Sequence, residues 1–445
     1  MKFFNIKLLG TILAFVFAFG MTSCNIEEIP NPNGPTLDDL VEGATLEDLQ
    51  LLLTGAESVL RNDMEFYYQV VSIVGREYWD LNGVDPRYTG ELLGVNGLPL
   101  DNNGFLTTRS FAARYRAIKN ANVFLESLAN SSATLSTEEV NGLTAIVNTF
   151  KAYSLLLVLN RQFDNGCRLD VADPDNLGAF VSYEAGLAGV QDLLNEAATN
   201  LSNTGDAFAL NLSVGFDGFE TPAGFRQFVK ALQARVALYQ GDKASARDFL
   251  NESFFDIAGG LNVGPVHAFG TAGNDIRNPL FYVADQDLFI AHPDFMADAE
   301  ANDLRVSTKT DTLKDEDDIP TSASLDGLSG DFQVQIYSGP SSSVPIIRNE
   351  ELILIYAEAQ IGNDNNEALA AINTIRGAAG IGDYAGGTSD DELLTEIVNQ
   401  RRYSLFGEGH RWIDLRRLGR LDEINIDRTG DIVHEKFPRP VTENE

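Results

Sequence analysis

Tyr78-Trp79-Asp80-Leu81-Asn82, closely followed by Arg87-Tyr88, gathers aromatic rings and hydrogen-bonding side chains into one short stretch. Such a set could lay a ring on a flat C–H face while Asp, Asn and Arg side chains pair with hydroxyls, which is the chemistry a saccharide demands. An aromatic ring supplies large contact area with few torsions to freeze. Tyr78, Trp79 and Tyr88 are the candidate stacking rings, and Asp80, Asn82 and Arg87 the candidate polar partners. Phe281 and Tyr282 offer further rings from a second stretch. The competing reading of Trp79, one of only two tryptophans, is that it packs the core.

Chemistry that makes or breaks bonds finds less support. No G-x-S-x-G or H-E-x-x-H occurs, and the four histidines are scattered. The run Asp315-Glu316-Asp317-Asp318 lacks the alternate spacing and turn glycine of a calcium loop. It reads as a solvated loop, so neither metal nor cofactor is expected. Among 65 acidic residues a glycosidase-type carboxylate pair remains open, which keeps an all-helical glycoside hydrolase as an alternative.

Composition narrows the field. At 445 residues and 44% hydrophobic content, the chain can bury a large core without covalent staples. A formal net charge of −33 disfavours nucleic acid, whose phosphates need Lys and Arg. It also makes a sulfated or uronic polymer a less natural ligand unless basic residues cluster locally. Of the two cysteines, Cys24 sits at a processing signal, which leaves Cys167 unpaired. With no basic cluster beside it, Cys167 reads as a small packed hydrophobe.

Helical periodicity dominates the elements that must position the candidate site. Amphipathic helices are expected at Leu46–Arg61, Ser110–Leu128, Glu184–Leu201, Pro222–Tyr239 and Ala244–Asn251. Val140–Phe163, apolar all round, is the expected central helix. The pairs around Gly241 and across 350–361 and 366–376 look like degenerate tetratricopeptide-type helix pairs. Between the helices lie two aromatic-rich, loop-rich segments, 62–105 and 255–345, the second with short strand-like pieces. Long loop-rich segments in a compact domain are commonly functional.

At the N-terminus, Lys2 and Lys7 precede an apolar run, Leu8 to Gly20, which is too short to span a bilayer. Thr22-Ser23-Cys24 then resembles a bacterial lipoprotein cleavage box. Residues 1–23 are thus expected to be removed as a signal peptide and Cys24 to be acylated. Several acyl chains on one cysteine anchor stably. Residues 24–40, with Pro30, Pro32, Gly34 and Pro35, read as an extended tether. These features lead to the expectation of a lipid-anchored protein at a membrane surface.

Near the C-terminus, Gln400-Arg401-Arg402-Tyr403-Ser404-Leu405-Phe406-Gly407-Glu408-Gly409-His410-Arg411-Trp412-Ile413-Asp414-Leu415-Arg416-Arg417 reads as helix, glycine corner, helix. Glu408 with Arg411 and Asp414 with Arg417 are spaced to pair along a helix. The run resembles the signature of the SusD/RagB family, E-R-x-x-E-L-x-F-E-G-H/x-R-W-x-D-L-R-R, with Gln400, Ser404 and Gly407 departing from it. Arg348 to Ala359, Ala368 to Gly380, Phe437 to Asn444 and Arg116 to Asn122 resemble further family segments. The resemblance implies a mainly α, SusD-like fold over residues 41–445, with tetratricopeptide-type pairs as scaffold and a loop-rich insert carrying a few short strands. It further implies an outer-membrane lipoprotein facing the cell exterior, with Glu27 and Glu28 resembling an outer-leaflet export signal. Such a protein captures an oligosaccharide or polysaccharide and hands it to a SusC-like TonB-dependent outer-membrane transporter, without catalysis. A peptide-binding relative fits the same fold. In the family the signature run is structural, and segments 62–105 and 255–345 build the binding face.

Overall fold

The computed structural model describes residues 41–443. The expected signal peptide, the tether and its Cys24 lie outside the described residues, as do Asn444 and Glu445.

The helices form where capping chemistry and apolar spacing coincide. In α1 (Leu46–Ser58), Thr45 accepts from the Asp48 N–H while the Asp48 carboxylate accepts from the Thr45 N–H, a reciprocal cap. Helix α2 (Glu65–Val74) lies inside segment 62–105, whose composition suggests loops. Its residues from Phe66 to Val74 are all buried, so it shows no amphipathic stripe to read. Helix α3 (Phe105–Ala129) starts five residues earlier than its periodicity suggests. In α4 (Thr137–Gln162), Ser136 and Glu139 form a second reciprocal cap. By composition alone α4 could cross a membrane, but 89% of that apolar window is buried within the protein. It is the core helix that the sequence anticipated.

Helix α5 (Tyr183–Ser202) packs between α4 and α6 (Pro222–Tyr239), and α6 packs in turn on α7 (Lys243–Asn251). The α6–α7 corner follows from its residues. Gly241 adopts φ +77°, which favours glycine, and the Asp242 N–H then reaches the Ala237 carbonyl at 2.9 Å. Asp242 next caps α7 by accepting from the Ser245 N–H. Two short helices, α8 (Pro293–Ala297) and α9 (Leu304–Lys309), precede a second pair, α10 (Asn349–Gln360) and α11 (Asn365–Ala378). Helix α12 (Asp390–Ser404) packs on both members of that pair, and α13 (Arg411–Arg417) follows the glycine corner. Both expected helix pairs are therefore present.

The strands are short: β1 (Tyr78–Asp80), β2 (Cys167–Arg168), β3 (Phe180–Val181), β4 (Val266–His267), β5 (Phe289–Ala291), β6 (Thr310–Thr312), β7 (Ala323–Leu325), β8 (Leu328–Gly330), β9 (Phe332–Val334) and β10 (Val344–Pro345). Four of them make one antiparallel sheet in the order β1-β5-β9-β6, which joins the two loop-rich segments. Its register sets Tyr78 opposite Ala291, Trp79 opposite Ile290 and Asp80 opposite Phe289. Cys167 is buried, which pushes its thiol up to about 12 and leaves it unreactive.

The C-terminal signature is a buried polar joint. Asp414 accepts from Arg401 Nε at 2.7 Å and from Arg417 Nε at 3.0 Å, and Arg417 also grips Glu358 of α10. Trp412, fully buried, donates its indole N–H to the His434 carbonyl at 2.7 Å. The Asp414–Arg417 pairing matches its helical spacing. The expected Glu408–Arg411 pairing does not form; Glu408 instead takes Arg348 at 2.8 Å. Gly407 and Gly409, at φ +73° and +75°, turn the chain between α12 and α13, so helical spacing does not apply to Glu408.

Candidate ligand-binding site

Strand β1 carries the central candidates, and the structure covers both of its faces. Tyr78 is 1% exposed, its ring edge-on to Phe289 and Phe406. Trp79, next in the strand, projects to the opposite side and is 4% exposed. There its indole lies edge-on to His292 at 4.9 Å and donates to Asp427 at 3.3 Å. Tyr282 is 5% exposed and stacks on Phe289 at 3.9 Å between centroids, with its hydroxyl 3.5 Å from that of Tyr78. Phe281, half-buried, packs against the core. The sequence expectation of an open stacking platform at Tyr78, Trp79 and Tyr282 is corrected: these rings are core. The reason is pairing. A strand covered on both faces has no outward side, and three residues give a sequence too little alternation to show it.

The polar candidates divide. Asp80 and Asn82 close their own turn: Asp80 Oδ1 accepts from both the backbone and side-chain nitrogens of Asn82, at 3.0 and 2.8 Å. Asn82 Oδ1 then accepts from the Leu288 N–H at 2.9 Å. Burial raises the Asp80 carboxyl above its ordinary range. Both residues serve the loop rather than offering free donors. Arg87 and Tyr88 remain accessible. Arg87 forks onto Asp85 with contacts of 2.9 and 2.7 Å and keeps a side chain 39% exposed. Its guanidinium lies 4.2 Å over the Phe105 ring. Tyr88 is half-buried, 6.1 Å from Phe105. Its hydroxyl rises to about 12, first through burial and then through the negative field of Asp80, Asp85 and Glu65.

Phe105 links these two residues to a feature with only a weak signal in the sequence. Phe105 meets Phe66 edge-on at 5.5 Å, and Arg109 lies 4.1 Å over Phe66. Beyond Arg109 opens a groove of about 600 Å³ between the Arg61–Glu65 turn, the first turns of α3 and the loop Ile276–Pro279. Buried Arg114 ties α3 to that turn, donating to the Leu60 carbonyl at 2.8 Å and to that of Asn62. The available signal was Arg109, Ala112 and Arg116, spaced along one stripe of α3.

Residues 312–444 match the family model described as the SusD family. The signature, the Arg348–Ala359 helix and the closing segment all fall inside that match, while Arg116–Asn122 falls outside it. A crystal structure of a SusD superfamily protein from Bacteroides vulgatus shares 18% identity over 90% of this chain and 96% of that one, with TM-score 0.67. The fold is that of the SusD superfamily. Other SusD-fold structures superpose comparably. One, described as a laminarin-binding SusD-like protein, shows 19% identity over 91% of this chain and 98% of that one, with TM-score 0.61. Another, surface glycan-binding protein A from Bacteroides thetaiotaomicron, shows 15% identity, coverage of 90% and 96%, and TM-score 0.66. No curated protein sequence matches the chain.

Proposed function

We propose that this protein captures glycans at the cell surface and delivers them to a SusC-like TonB-dependent transporter, held to the outer membrane through lipid on Cys24. The observation that carries the reading is the SusD-family match over 312–444 on a chain whose whole described length takes the SusD-like fold. Two proteins sharing that fold are named for binding laminarin and surface glycans. The function follows as binding without turnover. Accessible Arg87 and Tyr88 and the adjoining groove are the surface on which we place the ligand. Affinity electrophoresis against a polysaccharide panel, run beside a reducing-end assay and a peptide pull-down, tests it. Retardation by at least one polymer with no release of reducing ends is expected. Release of reducing ends would favour a glycoside hydrolase, and retention of peptides alone would favour a peptide-binding relative.

A further inference from the structure

The groove beside Arg109 reverses the charge balance of the protein around it. The chain holds 65 acidic residues against 32 Lys and Arg. The groove wall holds Arg61, Arg109, Arg116 and Arg277 against only Asp63 and Glu65. Two of the arginines are engaged: Arg61 pairs with Asp275 at 2.9 Å, and Arg109 pairs with Asp63. Arg116 and Arg277 make no ion pair among the described residues, and both are exposed at the groove. An unpaired guanidinium is a planar fork that fits the two oxygens of a carboxylate or sulfate. Exposed charges beyond about 10 Å are largely screened in physiological salt, so the −33 of the whole chain does not cancel this local field. Arg109 covers buried Phe66, and Arg87 lies over Phe105, so of this aromatic cluster half-buried Tyr88 keeps a partly open ring.

We propose that this groove binds the anionic group of an acidic oligosaccharide, a uronate carboxylate or a sulfate ester, through Arg116 and Arg277. The proposal rests on the glycan-capture reading above and narrows its ligand class. Arg61 and Arg109, already paired, shape the wall, while Arg116 and Arg277 take the ligand's charge. Binding should therefore weaken as salt rises, unlike the binding of a neutral glycan.

The test is calorimetric titration of the full-length protein in detergent with four probes: oligogalacturonate, a carrageenan oligosaccharide (sulfate esters and no uronate), a neutral laminarin oligosaccharide and hexaglutamate. At least one acidic saccharide should bind at least tenfold more tightly than the neutral one, and which of the two does so assigns carboxylate or sulfate. The double variant R116A/R277A should lose at least tenfold in that affinity and most of its salt dependence between 50 and 200 mM. Its melting temperature should stay put, because both side chains are exposed. Preference for the neutral saccharide overturns the proposal and leaves glycan capture standing. Binding of hexaglutamate alone overturns the proposal and the glycan reading with it, whereas binding of none of the four overturns the proposal and leaves glycan capture to the polysaccharide panel. Acidic binding that R116A/R277A leaves intact also overturns it.

Discussion

Trp79 donates its indole N–H to Asp427 across 348 residues of chain. The same carboxylate accepts from Arg76 Nε at 2.9 Å and contacts His292 Nε2 at 2.6 Å. Asp427 thus gathers three partners beneath the sheet and ties β1 to the C-terminal segment. Its pKa is lowered despite the desolvation that opposes it, because His292, Arg76 and Trp79 all favour the anion. Trp79→Ala should cost about 3–5 kcal/mol, the range for deleting a buried aromatic. Chemical denaturation would measure this. Trp79→Phe, which keeps most of the ring volume, should leave saccharide affinity unchanged; a large affinity loss in a well-folded Trp79→Phe would return Trp79 to the binding site.

The scaffold was legible in the sequence because its signals are local. Thr45 with Asp48, Ser136 with Glu139, and Gly241 with Asp242 each announce a helix end within four residues. The signature run was legible as a joint, down to Asp414 with Arg417. The candidate site was not, because exposure is a long-range property. Tyr78 is buried by Phe289 and Phe406, and Trp79 by His292 and Asp427, all more than 200 residues away in the chain. Likewise Arg277 joins Arg109 and Arg116 only through the folding of its loop against α3.

Asp414 offers a sharper stability test than any surface charge. It is buried between Arg401 and Arg417, so removing its charge leaves the Arg401 guanidinium without its carboxylate in a dry joint, while Arg417 keeps Glu358. Breaking such a buried set by one partner costs about 3–5 kcal/mol, where exposed pairs are worth about 1 kcal/mol or less. Asp414→Asn should therefore lower the melting temperature clearly. Lys436→Ala, which breaks the exposed pair with Asp164, should barely move it. Equal effects would contradict the assignment of the signature as a structural joint.

Glu77 sets a pH dependence with a definite sign. Its carboxylate is buried under the signature corner, where it accepts from the Gly407 N–H at 3.0 Å, and burial lifts it from 4.5 to about 7. With the folded value above the unfolded one, its contribution to stability is complete below about 4.5 and is lost as pH rises through about 7. His267 and His410 act oppositely. Burial depresses them to about 3 and about 4, so their contribution is present above 6.5 and fades on acidification. Glu77→Gln isolates the first effect, since an amide keeps an acceptor and does not ionise. The variant should gain stability relative to wild type between pH 5 and pH 8, by on the order of 2–3 kcal/mol. A difference that stays flat across that range would show that Glu77 ionises normally.

Tyr88 is the ring of the Tyr78–Tyr88 stretch left half-open to solvent, and its position tests where the ligand lies. It sits beside Phe105, which carries Arg87 over its ring and meets Phe66, and Phe66 in turn lies under Arg109 of the groove wall. A ring stacked on a sugar contributes about 1 kcal/mol beyond its buried area, roughly fivefold in Kd. Tyr88→Ala should weaken saccharide binding by at least that factor, while Tyr88→Phe, which keeps the ring face, should retain most of the affinity. Arg87→Ala should have a smaller effect, because its fork is already spent on Asp85. Titration of the three variants with one oligosaccharide reads this order directly. If Tyr88→Ala binds as wild type does, the ligand lies elsewhere on the molecule, whatever its charge.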